Sequence, residues 1–328
     1  MKPTKAPQLQ TGEISSDQAL EWFQQADLIV IPPYFLTHWK TKKHFFYFEG
    51  ALLAFEKTRR QYIITGEPAK TSRDDDEKLY QAFISFAHKR KKKVCGFYVG
   101  KSWQSAAFAK RPIGTSFRLK LDDYDFGASK AKEVRRSLRK GAASDYTIVK
   151  SEEIDQDKLS QLLKTWKKKK LPLKLKFFLS EPKANSTTSS FEKWYVVSKN
   201  NQYFSFCSTV PYKNGARTGL YLDHLIYDPF QEKSALSYLV SSLIHNAKND
   251  GVDEINLGLN PFANITSNGF TEKIFKSLYK MPFLYRPKGL HYFKGKFAGQ
   301  EETEFFFHEK KNSPILSLFG MMQTTLKK

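Results

Sequence analysis

Twice along this chain a strand pattern, one amphipathic helix and a second strand pattern follow in immediate succession. In the first half, residues 61–65 read as a strand, 74–91 carry Leu79, Phe83, Phe86 and Ala87 at helical spacing, and 94–99 return to a buried strand pattern. In the second half, residues 218–227 read as a strand and 234–249 as a helix with Leu236, Leu239, Val240, Leu243 and Ile244 on one side. Gly251 ends that helix, and 253–259 is the strand after the crossover. Strand, crossover helix, strand is the grammar of α/β architecture. Its recurrence predicts a duplicated fold.

The remaining segments fit around these two units. A polar stretch, 1–14, reads as a flexible tail, and Ser15 offers N-cap chemistry to a short helix. Residues 28–31, 44–49 and 51–56 are strand-like, with Gly50 making a hairpin of the last two. Antiparallel strands are expected at 194–197, 202–209 and 218–227, with helices at 154–168 and 270–279 and closing strands at 289–297 and 303–307. The organisation expected is a first domain over 15–126, a linker helix and strand over 127–150, a second and catalytic domain over 151–310, and an amphipathic basic tail over 311–328.

Charge narrows the partners. Lys and Arg number 54 against 33 Asp and Glu, a formal net charge of +21, while 40% of residues are hydrophobic and 15% aromatic. That is too apolar for a disordered polycation and too basic for a chain without an anionic partner. Cys95 and Cys207 lie in apolar runs and make no disulfide framework. No run of about 18 apolar residues suggests a membrane span, and the polar first dozen residues do not resemble a signal peptide. A cytoplasmic protein, peripheral at the inner face of the membrane, is the expectation.

The cations cluster. Between Lys130 and Lys140 a helix with Val134 and Leu138 as its narrow apolar seam presents Lys132, Arg135, Arg136, Arg139 and Lys140, and Gly141 is the expected C-cap. A second cluster holds Lys164 and 167–170, with Trp166 between them, and Lys174 and Lys176 extend it. Two such segments suit a nucleic-acid backbone or an anionic lipid surface. The histidines are scattered without metal-ligand spacing, no Gly-x-Ser-x-Gly elbow occurs, and Gly96, Gly100 and Gly258 are isolated. Metal, serine-nucleophile and P-loop chemistries are thereby disfavoured.

Strand 218–227, the helix and strand 253–259 also form the core of the acetyltransferase-like fold, in which two splayed strands admit an acyl donor. The turn before the helix, 229–234, holds no glycine and places Glu232 where a pyrophosphate would lie, which disfavours coenzyme A. Over residues 15–310 the chain resembles the cytosolic catalytic region of phosphatidylglycerol lysyltransferases. The resemblance rests on Ile64-Thr65-Gly66-Glu67-Pro68; the basic segment Lys132 to Gly141 followed by Tyr146-Thr147-Ile148; and Leu222-Asp223-His224-Leu225-Ile226-Tyr227-Asp228-Pro229. It rests further on Glu254-Ile255-Asn256-Leu257-Gly258-Leu259-Asn260-Pro261 and on Leu284-Tyr285 with Gly289-Leu290-His291-Tyr292-Phe293-Lys294-Gly295-Lys296-Phe297. Ile226 stands where the family has Arg, Asn260 where it has Ala, and no integral-membrane portion is read in this sequence.

The resemblance implies two tandem acetyltransferase-like (GNAT-type) domains with mixed, largely antiparallel sheets, joined by the cationic helix. It implies transfer of an amino acid from charged tRNA, the donor substrate, to a phospholipid hydroxyl, with no cofactor. Asp223 and, secondarily, His224 are the expected base or amine-orienting groups, and strand alternation puts them on opposite faces. Asn256 and Asn260 are candidates to orient a carbonyl, and Tyr285, Arg286 and Tyr292 to line the acceptor path. Lys294 and Lys296, on one face of a strand, are candidates to grip a phosphate. Lys132, Arg135, Arg136, Arg139, Lys140, Lys167 and Lys168 are assigned to tRNA. The tail from Ile315 to Met322, followed by Lys327 and Lys328, reads as an interfacial segment for an anionic bilayer. Two other classes fit the same features: an acyltransferase with an acyl-thioester donor, and a non-catalytic RNA- or membrane-binding protein that keeps the fold.

Overall fold

The computed structural model describes residues 9–38, 44–72, 76–170, 191–230, 234–280 and 287–318. In chain order the elements are β1 (Gly12–Ile14), α1 (Ser16–Gln25), β2 (Val30–Ile31), β3 (His44–Phe48), β4 (Ala51–Lys57), β5 (Gln61–Thr65), β6 (Ala69–Lys70), α2 (Glu77–Lys89), β7 (Lys93–Val99) and β8 (Phe108–Lys120). The second half continues with α3 (Lys132–Ala143), β9 (Thr147–Lys150), α4 (Gln156–Lys170), β10 (Lys193–Lys199), β11 (Gln202–Asn214), β12 (Arg217–Tyr227), α5 (Ser234–Asn249), β13 (Glu254–Pro261), α6 (Phe270–Lys280), α7 (Pro287–Gly295) and β14 (Gln300–Glu309).

Both crossovers are present, and they produce the parallel pairs of an otherwise antiparallel sheet among the described residues. Helix α2 joins β5 to β7, and α5 joins β12 to β13. The chain is thus an α/β protein of two tandem acetyltransferase-like halves. They are not separate sheets. The strand order is β1-β3-β4-β5-β7-β14-β8-β13-β12-β11-β10-β9. Strand β14, from the segment 151–310, lies between β7 and β8, and β8, from 15–126, pairs with β13. The short strands β2 and β6 then link β11 back to β4, so the pairings close a ring.

The ring has an apolar interior to which both halves contribute, including Phe35, Leu52, Ile63, Phe97, Ile113, Val210, Leu259 and Phe306. Outside it, α2 covers Phe46, Leu53, Phe55 and Tyr62 of the first half, while α3 and α5 cover Leu222, Ile255 and Leu257 of the second. Helix α4 covers Trp194, Phe206 and Ile226. Each large side chain fully removed from water stabilises this arrangement by roughly 1.5–3 kcal/mol, so the helices are held by their apolar faces and the strands by shared burial.

Several expectations are corrected. Residues 108–120 form a long strand that the sequence pattern does not announce, because Pro112 and Gly114 look like breakers. The register shift at Glu304/Phe305 of the partner strand β14 accommodates them. Helix α3 runs through Gly141 to Ala143, so Gly141 is no C-cap; a Cβ there would lie 2.0 Å from the Tyr238 ring, and glycine allows α3 to approach α5. Residues 289–297 are not a strand. Pro287, pre-set for a first helical position, opens α7 instead. Within the expected interfacial tail, Leu316 is exposed but Leu318 is buried in the ring core, and Gln61 Nε2 donates to the Ser317 carbonyl at 2.8 Å. The tail beyond residue 318, including Lys327 and Lys328, lies outside the described residues.

Candidate active site

The two parallel pairs differ, and the difference makes the site. Strands β5 and β7 stay paired from Gln61↔Lys93 to Thr65↔Phe97. Strands β12 and β13 pair only from Gly219↔Glu254 to Tyr221↔Asn256, then diverge. A register shift on each outer side accompanies the divergence. Against β11, His224 pairs with Ser208 and Leu222 with Thr209, which leaves Asp223 as an extra, bulged residue. Against β8, Asn256 pairs with Arg118 and Leu259 with Ser116, and Gly258 adopts a φ of +77°. The Gly258 N–H donates to Asn256 Oδ1 at 2.8 Å. A Cβ at Gly258 would stand 2.8 Å from the Leu222 carbonyl and 3.4 Å from Lys294 Nζ, so only glycine leaves the gap open.

The gap is a narrow cleft with a cavity volume of about 80 Å3, lined by residues 221–226 of β12, by Gly258, Leu259 and Pro261 of β13, by Leu290 and Lys294 of α7, and by Trp166 of α4. The first half of the chain supplies Tyr34 and Tyr98. Asp223 Oδ2 is 3.2 Å from His224 Nδ1, which is 2.7 Å from Ser208 Oγ and 3.8 Å from Glu192 Oε1. In a chain of net charge +21, this corner of the cleft gathers two carboxylates with side chains only 8–9% exposed. Such a corner favours an ammonium group. Glu192, Asp223 and His224 also bring ligand atoms within 4.8 Å of one another, a set able to hold a cation.

Opposite them, Lys294 is 4% exposed and donates to the Leu259 carbonyl at 3.1 Å. Burial lowers its pKa to about 7, against the raising influence of Cys207 and Asp223. The amine therefore exchanges its proton near neutrality. Tyr34 and Tyr98 stack with ring centroids 3.6 Å apart, and Tyr98 is hydrogen-bonded to both Tyr34 and Tyr221. Burial raises the pKa of all three phenols, which keeps them un-ionised and able to donate. Tyr98 has a φ of 64°, costly for a bulky aromatic. The loop beside it is clamped by Glu67, whose carboxylate accepts the Gly100 N–H at 3.1 Å.

The structure brings Asp223, His224 and Lys294 together. Asp223 and His224 share the cleft rather than opposite faces, because the bulge cancels the alternation. Lys294 and Lys296 do not share a strand face: Lys296 lies 3.9 Å from Glu133 and over the Tyr292 ring, outside the cleft lining. Tyr292 is 72% exposed and also lies outside that lining. Asn256 braces the bulge. Asn260 is fully buried, with neither amide atom hydrogen-bonded, and is absent from the lining. Tyr285 and Arg286 lie outside the described residues. Ile226, 2% exposed, gives the cleft an apolar wall where the family resemblance expects a cation.

Of the cationic helix, Lys132, Arg136, Arg139 and Lys140 are exposed. Arg135 instead donates to the Phe126 and Ala128 carbonyls and belongs to the loop before α3. Lys167 is half-buried and Lys168 exposed on α4; Lys174 and Lys176 lie outside the described residues. Glu192, Ser208, Tyr34 and Tyr98 were not legible as site residues, since none sits in a motif. Trp166, set among lysines, carried the one usable signal.

A family description, phosphatidylglycerol lysyltransferase, C-terminal, matches residues 34–308. Among solved structures, L-PGS from Bacillus licheniformis superposes with a TM-score of 0.67 at 16% identity, covering 87% of this chain and 90% of that one. The C-terminal domain of a lysylphosphatidylglycerol synthetase candidate from Agrobacterium fabrum gives 0.64 at 18% identity, covering 97% and 92%. FemX gives 0.53 at 11% identity, covering 85% and 90%. At these identities the likeness is one of fold. No curated protein matches the sequence. Among the described residues, no helix is long and apolar enough to cross a membrane.

Proposed function

This chain belongs to the phosphatidylglycerol lysyltransferase C-terminal family, and from that premise we propose that its cleft transfers an aminoacyl group from charged tRNA to the hydroxyl of a phosphatidylglycerol-like lipid. The observation that carries the reading is the juxtaposition, across the β12/β13 gap, of the Asp223 carboxylate with the buried amine of Lys294, whose pKa lies at about 7.

An aminoacyl ester is already activated, so the chemistry reduces to placement, one proton transfer and stabilisation of an oxyanion. Asp223 and Glu192 hold the ammonium of the donated amino acid, and His224 orients Asp223. Lys294, in its neutral form, takes the proton of the acceptor hydroxyl as the lipid oxygen bonds to the ester carbonyl carbon. The tetrahedral oxyanion is met by the phenolic O–H groups at the base of the cleft. On collapse, the bond to the ribose oxygen of the tRNA breaks, and Lys294 returns the proton to that leaving oxygen. Atoms and protons balance without a cofactor.

Exposed Lys132, Arg136, Arg139 and Lys140 on α3, with Lys168 on α4, serve the tRNA backbone. Peripheral residence at the cytoplasmic face of an anionic membrane follows from the acceptor. The apolar wall at Ile226 leaves the acceptor phosphate outside the innermost cleft. The test incubates the protein with tRNAs charged with labelled amino acids and vesicles containing phosphatidylglycerol. Label in lipid, dependent on Asp223, is the expected result. Absence of label in lipid for every charged tRNA overturns the reading.

A further inference from the structure

Trp166 sits near the end of α4, half-buried and packed against the cluster of Trp194, Phe206 and Ile226. It also lines the cleft, together with Tyr34, Tyr98 and Leu290. Trp194, which serves that cluster alone, is 1% exposed, whereas Trp166 is only half-buried. Lys164 and Lys168, each two residues from it, are exposed on the opposite side of the helix, and Lys167 is half-buried.

A flat aromatic surface at a cleft wall is a platform on which a single-stranded nucleic-acid base stacks. The site described above needs the 3′ end of the donor to enter this cleft, and the terminal nucleoside is the part attached to the reacting ester. We propose that Trp166 stacks the terminal base of the donor RNA, so that the ester carbonyl is delivered to Asp223 and Lys294. The proposal rests on the tRNA-dependent reading and adds to it a positioning residue and its ligand. Stacking is tolerant of base identity, so the contact orients the 3′ end and does not read its sequence.

A double-mutant cycle isolates the contact. A hairpin RNA with a single-stranded 3′ end is compared with the same hairpin carrying an abasic terminal nucleotide, by fluorescence anisotropy, on the full chain and on Trp166→Ala and Trp166→Phe. Removing the base should weaken binding to the unmodified protein about tenfold, the loss expected for one base stacked on an aromatic ring. Trp166→Ala should lose the same factor with the intact hairpin and nothing further with the abasic one, while Trp166→Phe keeps most of the base dependence. If the two losses multiply, Trp166 and the base do not touch and the proposal fails. Trp166→Phe, which retains an aromatic ring in the α4 core, supplies the result should Trp166→Ala not fold. Transfer of label to lipid by the unmodified protein is scored alongside. Transfer with multiplying losses removes the Trp166 contact alone, and absence of transfer with every charged tRNA removes the reading on which it rests.

Discussion

Asp223 and His224 are neighbours in the chain that line the same cleft, with Asp223 Oδ2 3.2 Å from His224 Nδ1. A regular strand would send them to opposite faces. Because Asp223 is the extra residue of the β12 bulge, both carboxylate and imidazole face the gap, and the Ser208 hydroxyl lies 2.7 Å from the imidazole.

Asp223→Asn keeps the shape of the side chain and removes its charge. Single-turnover transfer should fall by a factor of about 100 or more, the scale of one proton-transfer or charge-orienting group, with the melting temperature changed little. Ser208→Ala removes only the hydroxyl beside the His224 imidazole and should cost a smaller factor. An Asp223→Asn protein with undiminished transfer would remove Asp223 from the mechanism.

Lys294 ties activity and stability to pH in opposite ways to an acidic group. Its amine must be neutral to accept a proton, so transfer should rise with pH through about 7 and then level. Its folded pKa, about 7, lies below its ordinary value of 10.5, so the native state releases a proton that the unfolded chain retains. The penalty for burying the charge is therefore full below about pH 7 and disappears as pH approaches 10.5. Lys294→Met should abolish transfer yet stabilise the fold by a few kcal/mol at pH 6, and this gain should shrink by pH 9. Urea denaturation at the two pH values reads the difference. An equal effect at both would contradict the burial of a neutral amine.

Gly258→Ala combines a φ of +77° with a Cβ 2.8 Å from the Leu222 carbonyl. The left-handed conformation alone costs about 1 kcal/mol or more, and the contact forces β12 and β13 to shift. The variant should melt at a lower temperature and lose transfer out of proportion to its lost stability. Retention of full activity would mean that the gap is not where the ester is held.

Arg135 and its neighbours on α3 should separate stability from binding. Arg135→Ala frees the Phe126 and Ala128 carbonyls and should destabilise the fold by about 1–3 kcal/mol while leaving the salt dependence of RNA binding intact. Arg136→Glu with Arg139→Glu should do the reverse: an unchanged melting temperature, weaker binding and a shallower salt slope. Identical behaviour of the two variants would deny the division of roles on this helix.

Where an element's own pattern of burial defines it, the sequence was readable. Strand β5 and helix α5 have the expected limits, and the parallel pairs follow from the crossovers. The misreadings share a different cause. Residues 289–297 alternate like a strand but form a helix, because Lys294 is drawn into the cleft and Tyr292 is left outside, inverting the usual pattern. Strand β8 was hidden because what excuses Pro112 is a register shift in β14, far away in sequence. Tyr34 and Tyr98 were invisible as site residues because they come from the half of the chain whose own parallel pair stays closed.

By itself, the sequence determined the α/β grammar, the basic character and the family resemblance, since composition, period and motif are local properties. Only the tertiary structure decided that β14 enters between β7 and β8, that tyrosines from one half line the cleft of the other, and that Asp223 and His224 line the same cleft. Strand order and bulges are relations between distant segments. Each depends on which partner supplies the hydrogen bonds and buried surface, and no single segment carries that information.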